Sequence, residues 1–230
     1  MEGTLAAVIV PARFNGPPDS GNGGYTCGLV AAELGAGDAE VSLRAPPPLE
    51  TELTMDRDGE VVRVSDGDTV VAEGRPADVD VGALPEPVDV GRAEATVAAG
   101  RQRWTTAHPF PTCFVCGPDR EDHDGLDIYP VELDDRWVAT WTPEEPGMVW
   151  PALDCPTAAP LMNPDKDPPI VLARLAAVID QEPAVGEPHV LISWELGRDG
   201  RKREAACALF DAEGRALARS RALWIELRPG

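Results

Sequence analysis

Aromatic side chains make up only 5% of this 230-residue chain, and 20 Lys and Arg face 40 Asp and Glu. So few rings leave Val, Leu and Ala to build the interior, and a hydrophobic content of 43% is enough for a core. A formal net charge of −20 repels a phosphate backbone, so nucleic acid is excluded as an expected partner. No run approaches the roughly 18 apolar residues of a membrane helix, so no membrane is expected either. The start, "MEGTLAAVIVPARF", lacks the basic flank and long apolar stretch of a secretory signal. Cysteines are few and odd in number, at 27, 113, 116, 155 and 207. The expectation is a cytoplasmic protein with reduced thiols. Histidine occurs only at 108, 123 and 189, which leaves little material for imidazole chemistry.

What is present is a pattern given twice. The length suits one large domain or two of about 100 residues. Residues 60–74, "EVVRVSDGDTVVAEG", read as two strands around a tight turn at Asp66, Gly67 and Asp68. Residues 189–227 read as three strands, with turns at Asp199-Gly200 and at 211–214. Each half runs strand, loop, short helix, then antiparallel strands. The first helix is expected at 25–34, after the loop "FNGPPDSGNGG". The second is expected at 155–161, with Asp154 as its N-cap and Pro156 in its first turn. A strand follows each, at 39–49 and 171–180. Residues 84–127 hold a short helix near 91–99 and then turn-rich sequence. The expected division is a first unit at 1–100, a linker at 101–127 and a second unit at 128–230.

"GRDGRKREAACALFDAEGRALARSRALW", with Asp211, Gly214, Leu217 and Ala218 in its last turn, resembles the closing strands of PaaI-type acyl-CoA thioesterases. "CFVCG" and "ALDCP" are similar to phrases in bacterial thioesterase-like proteins. The resemblance implies an α+β double hotdog fold: two tandem units, each a helix wrapped by an antiparallel sheet. It also implies a thioester hydrolase acting on acyl-CoA or a related thioester. No cofactor is implied, and a homodimer is the assembly expected.

The glycine-rich loop matches the family's Asn and helix-start glycines at Asn15, Gly23 and Gly24, with Asn22 in place of a His. The family's helix carboxylate has no counterpart, because that position falls near Ala31. The expected site therefore draws on both halves. Asp154, Asn15 and Asn22 are the catalytic candidates, and Gly23, Gly24, Tyr25, Thr26 and Trp150 are the substrate-binding ones. Each has a plainer reading beside it. Asn22 and Asp154 suit helix caps, Asn15 a turn, and the glycines a tight approach to a buried helix. A hotdog that binds its ligand without cutting it is the alternative function, and the missing helix carboxylate favours it. A dehydratase would need a His beside an acid in the helix-start loops, and neither loop has one.

Cys113 and Cys116 have the spacing of half a zinc site, with His108, Asp122 and His123 near in sequence. A second Cys pair is absent, so a packed turn is expected there and no metal. Cys27 and Cys155 occupy matching places near the two helix starts. Arg101, Arg103 and Arg120 form a basic cluster suited either to the coenzyme's phosphates or to ordinary surface charge.

Overall fold

The structure, a computed structural model, describes residues 6–102, 106, 108–120, 124–163 and 166–228. The first half contains β1 (Ala6–Val8), a 3₁₀ turn at Ala12–Phe14, α1 (Gly23–Leu34), β2 (Asp38–Leu43), β3 (Leu53–Asp58), β4 (Val61–Asp66) and β5 (Thr69–Pro76). After α2 (Val90–Gly100) come β6 (Val131–Leu133), β7 (Arg136–Trp141), α3 (Val149–Asp154) and a 3₁₀ helix at Cys155–Leu161. Four long strands close the chain: β8 (Ile170–Ile179), β9 (His189–Asp199), β10 (Lys202–Phe210) and β11 (Ala216–Glu226).

The described strands form one 11-stranded sheet in the order β1-β3-β4-β5-β2-β8-β11-β10-β9-β7-β6. Every named pairing is antiparallel, and the two halves meet edge to edge where Val41 of β2 faces Leu175 of β8. Among the described residues its two end strands are three residues long.

Alternation along the strands sorts the core into two faces. Leu191 of β9 and Ala205, Cys207 and Leu209 of β10 turn toward α1 and α3 and join one continuous cluster with Val30, Leu34 and Leu153. Val190, Ile192, Ala208 and Phe210 turn the other way and pack with Ala93 of α2. Val79 and Val81 cover the neighbouring part of that face, over Ala176 and Val178. So α2, expected within the first unit, lies on strands of the second half. The stretch expected as a linker also differs from that description. Cys113, Phe114, Val115 and Cys116 are buried in the main core, tied in where Phe114 N–H donates to Asn15 O at 2.8 Å.

The local chemistry accounts for the helices. Asn22 holds an extended backbone and accepts from Tyr25 N–H at 2.8 Å, capping α1. Gly35 ends it in the left-handed region at φ 62°, where a side chain would be strained. The second helix departs from expectation. It is α-helical over 149–154 and tightens to 3₁₀ from Cys155 on, because Pro156 has no N–H to continue the α pattern. Asp154 is thus the last α residue, and its side chain makes no cap bond to the 3₁₀ helix that follows.

Candidate functional site

The side chain of Asp154 caps the other helix instead. Its Oδ2 accepts from Gly24 N–H at 2.8 Å, across the crossing of α1 and α3. That crossing answers what the glycines are for. A Cβ on Gly24 would stand 2.5 Å from Asp154 Cβ and 2.7 Å from Pro151 Cα, and one on Gly28 would stand 3.1 Å from Trp150 Cβ. The helix starts approach this closely because both positions lack a side chain.

Asp154 is 1% exposed, and its Oδ1 has no hydrogen-bond partner among the described residues. Burial pushes its carboxyl up to about 7, against the pull of the Gly24 N–H; the nearby Cys113 adds to the rise and the Asn22 side chain opposes it. Around it lie three buried thiols. The Cys113 and Cys155 sulfurs are 3.7 Å apart, and those of Cys113, Cys116 and Cys155 all fall within 4.8 Å of one another. Asn22 Nδ2 points at two of them, 3.9 Å from Cys113 Sγ and 3.8 Å from Cys155 Sγ. Hydrogen bonds from the Cys116 and Cys155 thiols hold Cys113 well below the usual thiol range. Burial raises the isolated Cys27 and Cys207. All five cysteines are free.

Beside this cluster opens a cavity of about 530 Å³. Pro17, Pro47, Leu43, Ile170, Leu172 and Trp224 contribute to a mostly apolar wall, and Asn22, Cys113, Asp154 and Cys155 give it one polar end. Its size falls in the range of small-molecule sites, roughly 300–1,000 Å³. Arg44 also lines it, with a side chain 57% exposed and 3.5 Å from Glu73.

Of the catalytic and substrate-binding candidates named in the sequence, Asn22, Gly23 and Asp154 line this cavity and the others do not; Cys113 and Cys155 line it as well. Asn15 is fixed elsewhere: its Nδ2 donates to Thr112 Oγ1 at 3.2 Å and its Oδ1 accepts from Arg120 at 2.8 Å. Gly24 lies behind the wall with its N–H already taken by Asp154. Tyr25 stacks on Phe14 with ring centroids 3.8 Å apart. Thr26 returns its hydroxyl to Asn22 O at 3.0 Å. Trp150 is buried against Gly28 in the helix crossing. The basic cluster is also otherwise engaged. Arg120 bonds Asp124, Thr112 O and Arg13 O, and Arg101 lies 4.5 Å over the Tyr129 ring. Arg103, Asp122 and His123 lie outside the described residues. His108 Nδ1 accepts from Phe110 N–H at 3.0 Å.

Sequence reasoning missed Arg44, the proline wall and Cys155 as a neighbour of the Cys pair. The run Pro46-Pro47-Pro48 was a visible signal of rigid wall. Nothing local connected residue 155 to residue 113.

A helix on one face of an antiparallel sheet, repeated and joined edge to edge, is the double hotdog fold. Solved structures agree along almost the whole chain. A conserved hot dog fold protein of unknown function from Alicyclobacillus acidocaldarius has a TM-score of 0.64 at 11% identity, covering 98% of this chain and 94% of that one. The acyl-CoA thioesterase II TesB2 from Mycobacterium marinum has 0.62 at 11% identity, with 98% and 94% covered. A pyran synthase domain from the sorangicin pathway has 0.58 at 14% identity, with 99% and 94% covered. No protein-family model matches the chain, and the search of curated proteins found no match.

Proposed function

We propose that this protein is a thioesterase-like hydrolase that takes the acyl group of an acyl thioester, such as an acyl-CoA, into the cavity at the paired helix starts. One observation carries the reading. Asp154 sits at the polar end of an apolar cavity with one oxygen anchored by Gly24 N–H and the other without a partner among the described residues. An anchored carboxylate with a spare oxygen is the arrangement a general base needs. Oδ1 takes a proton from water as the water oxygen bonds to the thioester carbon. The C–S bond then breaks, and the proton passes to the leaving thiolate. Gly23 is the first residue of α1 and lines the cavity. Its N–H has no acceptor within the helix, so it is the donor offered to the carbonyl oxygen, with the positive end of α1 behind it. Arg44, which lines the cavity, is a cation placed to serve an anionic carrier. The thioesterase among the structural neighbours supports the substrate class.

The alternative, binding without cutting, draws support from the Gly24 amide. It is engaged by Asp154 and so cannot polarise a carbonyl. Thiol release from short, medium, long and aromatic acyl-CoAs decides between the two. Hydrolysis that falls about a hundredfold in Asp154→Asn supports the hydrolase. Saturable binding with no turnover of any substrate sinks it and leaves the binding protein.

A further inference from the structure

We propose that Cys113, Cys116 and Cys155 hold a zinc ion at the base of the cavity. The three come from two segments of chain that the fold brings together, the 113–117 turn and the α3 junction. Their sulfurs gather within 4.8 Å of one another, and all three residues are buried. In a tetrahedral site with Zn–S arms of about 2.3 Å the sulfurs stand roughly 3.8 Å apart. The Cys113–Cys155 separation is 3.7 Å, so these two thiols already stand at ligand spacing, with the Cys116 sulfur within 4.8 Å of both. Soft thiolates and this spacing favour zinc over the hard cations that prefer oxygen.

The surroundings are built for the same purpose. The turn that presents Cys113 and Cys116 closes with Gly117 N–H donating to Cys113 O at 2.8 Å. A Cβ on Gly117 would stand 2.4 Å from Cys113 N, so the C-x-x-C turn requires glycine next. Asn22 Nδ2 lies 3.9 Å from Cys113 Sγ and 3.8 Å from Cys155 Sγ, an outer-shell donor to two ligand sulfurs. The other two cysteines contrast with this. Neither Cys27 nor Cys207 belongs to a cluster of ligating groups among the described residues.

Three protein ligands leave one of zinc's four positions open, the pattern of sites that exchange a water or substrate. Cys113 and Cys155 line the cavity, so the fourth ligand comes from that side. The site does not depend on the hydrolase reading, because its metal content is measured without substrate.

The test uses the untagged full chain, grown with zinc and purified without chelator or metal resin. Elemental analysis is expected to give about one zinc per chain. After chelation, cobalt(II) is expected to produce a thiolate-to-cobalt charge-transfer band. Cys116→Ser and Cys155→Ser are each expected to lose the zinc or weaken its binding at least tenfold, and Cys207→Ala to keep it. If the serine variants do not fold, the wild type still decides. Zinc should protect three thiols from alkylation, and its removal should expose them. A metal-free wild type that gives no cobalt band overturns the proposal. So does zinc retained by both serine variants, or a Cys113–Cys155 disulfide in protein prepared without air.

Discussion

The two helix starts occupy matching places in the repeat and are built in opposite ways. α1 runs for 12 residues, capped by Asn22 at one end and by left-handed Gly35 at the other. α3 runs for six, has no side-chain cap, and gives way to a 3₁₀ helix at a proline. The short helix contributes chemistry that the long one lacks. Its last residue, Asp154, bonds the first turn of α1, and the next, Cys155, joins the thiol cluster. The complete helix supplies amides and space; the interrupted one supplies the acid.

The comparison breaks most severely at Gly24. Valine there would force Asp154 Cβ and Pro151 Cα apart. It is expected to cost roughly 3 kcal/mol or to prevent folding, read from the urea midpoint; a fold as stable as wild type would mean that the helices do not meet as described. Next comes Asp154→Asn. Thioester hydrolysis should fall about a hundredfold, equivalent to about 2.7 kcal/mol of barrier. The midpoint should hold or rise, since the amide oxygen can still accept from Gly24 N–H without a buried charge. A parallel loss of stability would reduce Asp154 to a cap. Asn22→Ala removes the cap of α1 and is expected to cost about 1 kcal/mol in the same denaturation series. Gly28→Ala is the mildest. Its new Cβ meets the Trp150 side chain at 3.1 Å, and a shift within about 1 kcal/mol, with hydrolysis unchanged, would place the sensitivity of the crossing at Gly24 alone.

Much of this architecture could be read locally. Asp66-Gly67 and Asp199-Gly200 marked hairpins that form where expected, with Gly67 and Gly200 at positive φ. The expected helix at 25–34 begins two residues earlier, at Gly23, because Asn22 can cap and glycine can still be helical. The site was legible only in its parts. Asp154 was visible as an acid at a helix start, but its partner amide belongs to another helix, a relation that no local pattern encodes. The same is true of Cys155 beside the C-x-x-C turn. Tyr25, Thr26 and Trp150 follow the glycines or flank the acid in sequence, yet a helix turns about 100° per residue, so neighbours in sequence face different surroundings. Asn15 was assigned by family spacing, and the structure binds it to Arg120 and Thr112.

The seam between β2 and β8 has a consequence for how the molecule is made. β2 has β5 on one side and β8 on the other. During synthesis β2 leaves the ribosome long before residues 170–179 exist, so one of its edges waits bare. A first half made alone would carry that edge permanently, a row of unsatisfied N–H and C=O groups ready to accept a strand from any chain. The contact that unites the two hotdog units is thus also the point at which an unfinished chain is open to a neighbour's.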